Sequence, residues 1–420
     1  MSASLQQTLE TLASSARQAA PALAQASSQV KNTVLEKLAL LLEKQQDAIF
    51  KANQIDLKKG EANGLSAAML DRLRLTSSRM KSMIDGVRQI KNLPDPVGEV
   101  LREWTQPNGL FITKVRVPIG VIGIIYESRP NVTIDASILC LKSGNVTVLR
   151  GGSEAFESNR YLANLFCQAA QECGLPPEVV TFIPTTDRQA IPILCKLDKS
   201  LDLMIPRGGR GLIETVVENA RMPVIKHFEG ICHIYVHAEA DLAMAEKIIL
   251  NAKCQRPGTC NAVETVLIDT AIAKIFVPQL VSALKKNGVK IFADATTSAA
   301  TSETFEAPTH WDMEYLDLIL AIRVVKNLNE AVSHIEQYGS HHSDAIITEN
   351  AEVAESFLKQ VDSAAVYWNA STRFTDGYEF GFGAEIGIST DKIHARGPMA
   401  LEELTSYKYI ARGPGLIRSR

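Results

Sequence analysis

The chain has 420 residues, of which 46% are hydrophobic and 22% charged, and its formal net charge at pH 7 is −3. This length can bury two hydrophobic cores, and the balanced charge excludes a disordered chain and a basic nucleic-acid-binding protein. The seven cysteines show no paired CxxC spacing, which is typical of a reducing compartment. No signal peptide is evident, and no apolar run approaches the ~18 residues of a membrane helix. We therefore expect a cytoplasmic protein without a membrane or nucleic-acid partner.

The first quarter of the chain is predicted to be helical, because apolar residues between positions 34 and 49 recur at helical spacing. Pro94-Asp95-Pro96 ends this helical region. Two strand-like runs follow at 100–105 and 110–117, and Asn108-Gly109 between them predicts a β-hairpin. The hairpin has no core of its own, so we expect an arm that packs elsewhere, on another subunit.

From Gly120 onward, short apolar strands alternate with helices. Near-continuous apolar strands of this kind indicate a parallel sheet that is covered by helices on both faces. The pattern predicts two α/β units with a join near 228–240. The expected strands lie at 121–126, 146–149, 179–183, 201–205, 224–225, 263–268, 289–292, 319–325 and 345–348.

Two strand ends carry residues that suit a phosphate ligand, which binds at the carboxyl ends of parallel strands. The strand at 201–205 leads into Arg207-Gly208-Gly209-Arg210-Gly211 and a helix, where glycines, helix N–H groups and arginines favour phosphate binding over an ordinary turn. The strand at 146–149 ends in Arg150-Gly151-Gly152-Ser153, which suits the adenosine side of a dinucleotide or equally a plain strand end. The glycine-rich segment 381–387 lacks the spacing of a dinucleotide fingerprint, so we expect it at most to line a substrate pocket.

A turn at 255–261 carries Cys260 between a predicted helix and a predicted strand. A thiol on such a turn can meet substrate beside backbone N–H groups, which favour a thiolate and stabilise an oxyanion. Taken alone, a packing role is the commoner one for a cysteine, so both interpretations stay open. The cluster of Lys392, His394 and Arg396 is similarly open between a solvated loop and an anion site. The histidines lack a metal-ligand spacing, and no metal site is predicted.

Four segments resemble the gamma-glutamyl phosphate reductases, a family of the aldehyde dehydrogenase superfamily. They read YESRPN at 126–131, IPRGGRGLI at 205–213, CQRPGTCNAVET at 254–265 and HARGPM at 394–399, in order across nearly the whole chain. The resemblance implies an aldehyde dehydrogenase-like α/β fold with a Rossmann-like NADPH-binding domain, a catalytic domain, a substrate- or cofactor-side segment and an oligomerisation arm. These parts correspond to 1–99 with 118–230, to 231–375, to 376–400, and to 100–117 with 401–420. The resemblance implies that the strand-capable tail at 406–410 joins the hairpin in the arm.

The resemblance also implies the reaction. NADPH would reduce L-glutamyl 5-phosphate to L-glutamate 5-semialdehyde with release of phosphate, through a thioester on a cysteine, in proline biosynthesis. It further implies a homodimer or homotetramer, and it raises glutamate 5-kinase as a protein partner, with direct transfer of the acyl phosphate left open. The alternative is another semialdehyde oxidoreductase of the same superfamily.

Residue roles are carried over from the same resemblance. Cys260 matches the nucleophile, and Asn131 is the candidate oxyanion donor, with Arg129 as the alternative at that place. Glu314 matches the glutamate that holds the nicotinamide ribose. The remaining predicted cofactor residues are Arg150, Gly151, Ser153, Arg207, Gly208 and Gly209, and the predicted substrate residues are Arg256, Thr259, His394 and Arg396.

One position departs from the aldehyde-oxidising relatives. Where those enzymes have a glutamate that activates water to hydrolyse the thioester, this chain has His227. A reductase needs no such water, so the difference favours reduction over oxidation. The roles of His227 and Glu229 stay open.

Overall fold

The computed structural model describes residues 2–226, 229–301 and 303–418. The chain divides into two compact units. The first unit contains Met1–Lys226, Gly381–Gly387 and Met399–Arg420, and the second contains His227–Phe380 and Ile388–Pro398. The join therefore falls just before the predicted 228–240 segment, and the predicted tail segment 376–400 is shared between the two units. The predicted oligomerisation arm belongs to the first unit.

Several helices have a side-chain N-cap at their first turn, such as Ser27 and Asp241. The helices are α1 (Ser2–Ala24), α2 (Ser28–Lys44), α3 (Gln46–Ala62), α4 (Ala67–Leu73), α5 (Ser77–Asn92), α6 (Asn131–Lys142), α7 (Phe156–Glu172), α8 (Ala190–Leu194), α9 (Arg210–Asn219), α10 (Leu242–Cys254), α11 (Thr270–Lys286), α12 (Ala295–Ala299), α13 (Leu328–Tyr338) and α14 (Ala351–Gln360).

The strands form separate sheets in the two units. They are β1 (Val100–Thr105), β2 (Phe111–Pro118), β3 (Val121–Tyr126), β4 (Val146–Gly151), β5 (Val180–Phe182), β6 (Leu203–Arg207), β7 (Cys232–Val236), β8 (Val263–Asp269), β9 (Lys290–Ala293), β10 (Ile319–Val325), β11 (Ser343–Ile347), β12 (Ala365–Trp368), β13 (Ile388–Ser389), β14 (Gly397–Pro398) and β15 (Thr405–Arg412).

The first unit contains a four-stranded parallel sheet in the order β5-β4-β3-β6. Every residue of β3 and β4 is buried, as expected for a parallel sheet that helices cover. The chain runs outward from β3 to β5 and then returns to place β6 on the other side of β3. This reversal makes the carboxyl ends of β3 and β6 a topological switch point, the usual ligand site of such sheets. The register pairs Tyr126 with both Gly151 and Arg207, so the loops after these strands start at one edge.

A second sheet in the first unit has three antiparallel strands in the order β1-β2-β15. The predicted hairpin is confirmed: Gln106 N–H donates to Leu110 O at 2.9 Å, and Gly109 has a φ of 88°, which favours glycine. The tail strand β15 pairs with β2 from Thr405 to Arg412, as predicted. The hairpin and the tail therefore form one structural arm, while its role in oligomerisation stays a prediction.

The second unit contains a six-stranded parallel sheet in the order β12-β11-β7-β8-β10-β9. Helices α10 and α11 contribute to the core on one face of this sheet, and α13 and α14 contribute to the core on the other. The expected sheet with helices on both faces is thus confirmed.

Sequence reasoning missed β7, because residues 232–236 had been assigned to the join between the units. A buried histidine, His233, interrupts the apolar pattern of this strand. It is accommodated because the His233 backbone N–H donates to Asp344 Oδ1 at 2.8 Å, and the ring Nδ1 lies 3.1 Å from the same oxygen. Residues 224–225, predicted as a strand, form only an isolated bridge from Val224 to Met204 in the first unit.

Candidate active site

Cys260 lies on the turn between α10 and β8, and we call residues 255–261 the Cys260 turn. Pro257 and Gly258 prevent the helix from continuing, and Ala262 N–H donates to Thr259 O at 3.0 Å to close the turn. Cys260 is half-buried, while Cys140, Cys195 and Cys232 are buried. The turn precedes β8, so it lies at the amino end of a strand, and the rule that ligands bind at carboxyl ends would not have located it.

The backbone of Gly230 passes directly against the backbone of Cys260. A Cβ atom on Gly230 would lie 1.7 Å from Cys260 O, so only glycine fits at this position. The Gly230 N–H donates to Glu314 Oε1 at 2.9 Å. Burial raises the pKa of Glu314, the hydrogen bond from Gly230 opposes that rise, and the charge of Glu229 adds to it. Glu314, predicted to hold the nicotinamide ribose, is thus linked to the Cys260 turn through one glycine.

A second cysteine, Cys232, lies behind the turn as a neutral thiol. Its Sγ donates to Cys260 O at 3.3 Å and lies 3.8 Å from His342 Nδ1. Burial holds the pKa of Cys232 well above its ordinary value, and the nearby Asp344 charge acts in the same direction. Only a thiolate is an effective nucleophile, so this environment favours Cys260 over Cys232 for covalent chemistry.

Asn261 anchors the turn to the segment 371–375. Its Nδ2 donates to Thr375 O at 2.9 Å and to Arg373 O at 3.3 Å, and Thr372 Oγ1 donates to Asn261 O at 2.7 Å. Thr259 Oγ1 donates to Asn261 Oδ1 at 2.9 Å. Thr259, predicted as a substrate residue, therefore also shapes the turn itself.

A buried ion pair connects the two elements on either side of the turn. Lys253 Nζ, at the end of α10, donates to Glu264 Oε2, near the start of β8, at 2.7 Å, and both side chains are 0% exposed. Burial raises the pKa of Glu264, and the positive charge of Lys253 opposes that rise. Buried charges of this kind persist only when they are paired. We call this contact the Lys253–Glu264 pair.

The carboxyl edge of the first unit's parallel sheet gathers most of the predicted cofactor residues. We call residues 207–211, after β6, the glycine turn. Its Gly209 N–H donates to Glu127 Oε2 at 3.0 Å, and a Cβ on Gly208 would lie 2.4 Å from the same oxygen. Gly151, at the end of β4, is equally confined, since a Cβ there would lie 2.1 Å from Asn159 Nδ2. The backbone at this edge is accessible only because these positions are glycines.

Arg150 is the buried cation of this edge. Its Nη2 donates to Thr186 O at 3.3 Å, whereas its buried Nε has no partner among the described residues. Burial lowers the pKa of the Arg150 guanidinium, and the charge of Glu154 opposes that effect. Ser153 starts a short 3-10 helix at the same edge and is exposed. An orphaned guanidinium N–H beside glycine backbone is suited to an anionic ligand.

Asn131 lies at the first position of α6, in the first unit, with its amide engaged. Its Nδ2 donates to Asp135 Oδ2 at 2.7 Å. Burial raises the pKa of Asp135 to about 6, although Asn131 and Arg207 both oppose the rise. Sequence reasoning missed Asp135, whose signal was its place one helical turn after Asn131, and it missed Glu127, the second residue of the quoted YESRPN segment.

Comparison with known proteins gives three concordant results. A family model described as the aldehyde dehydrogenase family matches residues 1–304. Two relatives named gamma-glutamyl phosphate reductase, from Moorella thermoacetica and Carboxydothermus hydrogenoformans, are 55% and 54% identical to this chain. The first alignment covers 98% of this chain and 98% of the Moorella relative, and the second covers 97% of this chain and 98% of the Carboxydothermus relative. The crystal structure of gamma-glutamyl phosphate reductase from Thermotoga maritima is 47% identical, with a TM-score of 0.96 over 98% of this chain and 100% of that one.

The chain belongs to the gamma-glutamyl phosphate reductase family. This places it among the oxidoreductases of the aldehyde dehydrogenase family and confirms the predicted fold class. An acetylating aldehyde dehydrogenase from Geobacillus thermoglucosidasius shares the fold at 17% identity, with a TM-score of 0.72 over 99% of both chains. The structural match is thus much closer to the reductase than to that acetylating enzyme.

In this reductase-family chain, the predicted anion site at Arg396 is occupied by an acidic side chain. Arg396 Nη1 contacts Asp362 Oδ1 at 2.5 Å, Nη2 donates to Asp362 O at 2.6 Å, and Lys392 also pairs with this carboxylate. The hydrogen bonds from Lys392 and then Arg396 lower the pKa of Asp362 to about 2. His394 lies between these cations in a left-handed conformation, with a φ of 78°. The substrate role of His394 and Arg396 stays a prediction.

Three further expectations concern His227, a metal site and a membrane-spanning helix. His227, at which the chain departs from the aldehyde-oxidising relatives, lies outside the described residues. Within residues 2–226, 229–301 and 303–418, no group of three or more His, Cys, Asp or Glu side chains is placed to hold a metal ion. None of the helices in these same ranges is long and apolar enough to cross a membrane.

Proposed function

We propose that this protein reduces L-glutamyl 5-phosphate to L-glutamate 5-semialdehyde with NADPH and releases phosphate, as a step of proline biosynthesis. The observation that carries the proposal is the half-buried Cys260 on a turn that is fixed by the Gly230 backbone and by Asn261. A nucleophile held in this way loses little orientational freedom when substrate binds. The names and structure of the close relatives support the same reaction class.

The Cys260 thiolate attacks the 5-carbonyl carbon of the acyl phosphate, and a carbon–sulfur bond forms. The carbon–oxygen bond to the phosphoryl group breaks, and phosphate leaves with that electron pair. Backbone N–H groups of the Cys260 turn stabilise the negative oxygen that develops, with Asn131 as the proposed side-chain donor. The covalent thioester divides a difficult conversion into two easier steps.

Bound NADPH supplies the hydride that reduces the thioester. Arg150 Nε, orphaned and buried, and the glycine backbone at Gly151, Gly208 and Gly209 fit an anionic dinucleotide. We assign Arg150 and Arg207 to the phosphate groups and Ser153 to the adenosine side, and we retain Glu314 for the nicotinamide ribose. An arginine at this edge can accept the extra phosphate that distinguishes NADPH from NADH. The negative oxygen of the reduced adduct re-forms the carbonyl as the carbon–sulfur bond breaks, which releases the aldehyde and restores the Cys260 thiolate.

The direction of the reaction is supported by position 227. Aldehyde-oxidising relatives use a glutamate there to activate hydrolytic water, and this chain has His227. Without that carboxylate, the thioester persists for reduction instead of being hydrolysed to glutamate. The reverse reaction should accordingly need inorganic phosphate, which also separates this function from other semialdehyde oxidoreductases.

The test replaces Cys260 with alanine and measures phosphate-dependent reduction of NADP⁺ with glutamate 5-semialdehyde. We expect the rate to fall by roughly 10³-fold or more, because the covalent step is lost. NADPH binding, followed by nucleotide fluorescence, should stay within about twofold of wild type, since an effect below about 0.4 kcal/mol is small. Cys254→Ala, at the end of α10, is the matched control and should retain turnover. Substantial turnover in the Cys260 variant would refute the assignment.

We further propose that the protein forms a homodimer or homotetramer through the arm of β1, β2 and β15, in the cytoplasm. The arm exposes Val100, Tyr407 and Tyr409, which are 50%, 49% and 58% exposed, and exposed apolar groups of this size favour a protein interface. The seven cysteines are thiols and not disulfides, which suits a reducing compartment. Glutamate 5-kinase is proposed as the source of the acyl phosphate. Sedimentation of wild type and Tyr409→Glu tests the interface, and equal masses for the two proteins would contradict it.

A further inference from the structure

Two arginines, one on the Cys260 turn and one next to it, have no role in the reaction steps proposed above. Arg373, in the segment 371–375, donates from Nε to Gln255 Oε1 at 2.9 Å and from Nη1 to Asn261 Oδ1. Its guanidinium thus joins the first and last residues of the turn. Arg256, the second residue of the turn, is exposed. Its backbone carbonyl accepts a hydrogen bond from Thr259 Oγ1 at 2.9 Å.

Neither arginine forms a salt bridge within the described part of the chain. Both acceptors of Arg373 are neutral amide oxygens, and in the described part of the chain no carboxylate lies within salt-bridge distance of Arg373 or Arg256. Other cations of the second unit do have such partners. Arg396 pairs with Asp362, Arg323 with Glu330 at 3.5 Å, and Lys253 with Glu264.

Electrostatics agree with this geometry. Burial lowers the pKa of the Arg373 guanidinium, and repulsion from Arg256 lowers it further, whereas the charges of Asp376 and Cys260 act in the opposite sense. A half-buried guanidinium with a second cation near it is unfavourable unless an anion joins them. The Cys260 turn therefore has the electrostatic character of a site for an anion with more than one negative charge.

We propose that Arg373 and Arg256 form the subsite for the phosphoryl group of the acyl phosphate substrate. This inference rests on the proposed function and names Arg373 as a further substrate-binding residue. A guanidinium has five N–H donors, of which Arg373 uses one on Nε and one on Nη1. The others are available to phosphate oxygens, which arginine binds in a forked geometry. The phosphorus atom is one oxygen away from the carbonyl carbon that Cys260 attacks, so its site has to be next to this turn.

The same subsite explains the departure of the leaving group. As the carbon–oxygen bond breaks, the phosphate oxygen takes the electron pair and gains negative charge, which the two arginines stabilise. In the reverse direction, a phosphate oxygen donates an electron pair to the thioester carbon, and the Cys260 sulfur leaves with the carbon–sulfur pair. Inorganic phosphate is therefore itself a ligand of the subsite, and its apparent affinity can be measured.

The experiment uses the full-length enzyme in the reverse reaction, with glutamate 5-semialdehyde, NADP⁺ and inorganic phosphate. Arg373→Gln, Arg373→Lys and Arg256→Gln are compared with wild type. Arg160→Gln is the control, because Arg160 is an exposed cation of the first unit that pairs with Glu157. We expect the KM for phosphate to rise about tenfold or more in both glutamine variants, as charged hydrogen bonds are lost. Arg373→Lys should show a smaller rise, because it keeps the charge but not the fork.

The KM values for semialdehyde and NADP⁺ should change by less than about twofold, a difference of about 0.4 kcal/mol. A rise confined to the semialdehyde KM would overturn the inference, since it would assign the arginines to the substrate's α-carboxylate. A fall in kcat and thermal stability without any change in the phosphate KM would also overturn it, by showing a purely structural clamp. If Arg373→Gln does not fold, the exposed Arg256→Gln decides. Semialdehyde oxidation by wild type without phosphate would instead refute the proposed function.

Discussion

The Cys260 turn of the second unit and the glycine turn of the first unit are held in different ways. The Cys260 turn is bounded by the buried Lys253–Glu264 pair, linked through Asn261 to the segment 371–375, and packed against Gly230. The glycine turn is held from Glu127, whose backbone N–H donates to Arg207 O at 3.2 Å and whose carboxylate accepts from Gly209 N–H at 3.0 Å, and Arg210 forms an exposed pair with Glu214. The Cys260 turn is thus fixed on several sides, whereas in the glycine turn a carboxylate accepts a hydrogen bond from a backbone N–H group.

The difference fits the two roles proposed for these turns, which are nucleophilic attack and cofactor binding. A nucleophile has to be positioned before substrate arrives, because an error of about 1 Å can cost roughly 10²-fold in rate. A cofactor has to bind and leave in each cycle. The backbone N–H groups that bind its phosphates should therefore donate to an acceptor that a phosphate can replace. The predictions below test the contrast between the two turns in order of expected effect.

The largest expected effect concerns the Lys253–Glu264 pair. Lys253→Met or Glu264→Gln alone should lower the free energy of unfolding by about 3–5 kcal/mol, because either change leaves a buried polar group without its partner. The double variant Lys253→Met/Glu264→Leu should recover much of this loss, because it removes both charges. Urea denaturation monitored by circular dichroism measures the cycle. The counterpart in the glycine turn, Arg210→Gln, should cost less than about 0.5 kcal/mol, since that pair is exposed. Equal losses in the free energy of unfolding for the Lys253–Glu264 and Arg210 variants would contradict the contrast between the two turns.

Gly230→Ala should have the next largest effect. The added Cβ would lie 1.7 Å from Cys260 O, and backbone at this distance has to move. We expect kcat to fall by about 10²-fold, or about 2.7 kcal/mol, because the nucleophile is displaced. Within the same turn, Gly258→Ala should cost far less, since its Cβ would meet Leu316 O at an ordinary 3.6 Å. In α9, Gly211→Ala meets nothing within 4 Å and should be neutral or stabilising by up to about 1 kcal/mol. Steady-state kinetics and thermal unfolding measure these effects, and equal kcat values for the two turn variants would contradict the prediction.

The sequence predicts candidate site residues but not the contacts that hold them. Cys260 and the strand pattern on both sides of it could be predicted because turns, helices and buried strands have local signatures. Gly230, Glu264 and Arg373 could not, since their roles depend on pairings with residues 30, 11 and 112 positions away, as in Gly230–Cys260, Lys253–Glu264 and Asn261–Arg373. Without the sheet order, no periodicity brings such residues together. Arg396 shows the converse, because the sequence gives its charge but not the carboxylate that neutralises it.

A third prediction concerns pH and the buried histidines of the second unit. Burial lowers the pKa of His342 to about 4 and of His334 to about 2, so both are neutral in the folded protein. Below the unfolded value of about 6.5, the unfolded chain binds protons that the folded chain does not, and stability falls. Each histidine should then cost about 1.4 kcal/mol per pH unit, or about 2 kcal/mol at pH 5. Hydrogen exchange of peptides from β11 measures this loss.

The first unit carries a group with the opposite sign, which makes it an internal control. Burial raises the pKa of Asp135 to about 6. Between about pH 4 and pH 6, the folded chain binds the extra proton, so this group lowers stability as the pH rises. His342→Gln should therefore reduce the acid sensitivity of β11, whereas Asp135→Asn should leave β11 unchanged and alter exchange in α6. An unchanged pH dependence of β11 in His342→Gln would contradict this assignment.

The smallest expected effect is that of Asp362→Asn. This variant compares Arg396, which pairs with a carboxylate, with Arg373, which has no salt bridge among the described residues. Lys392 and Arg396 lower the pKa of Asp362 to about 2, so their contribution is present above about pH 4 and is lost as the pH falls towards 2. The Asp362 side chain is 46% exposed, and solvent screening limits the cost at pH 7 to less than about 1 kcal/mol by urea denaturation. The variant also removes the charge that pairs with both cations, while Arg396 Nη2 keeps its acceptor at Asp362 O. If Arg373 and Arg256 bind the phosphoryl group, the loss of this charge leaves the KM for phosphate unchanged. A severalfold fall in that KM would instead show that Asp362 had been blocking a phosphate site at Arg396.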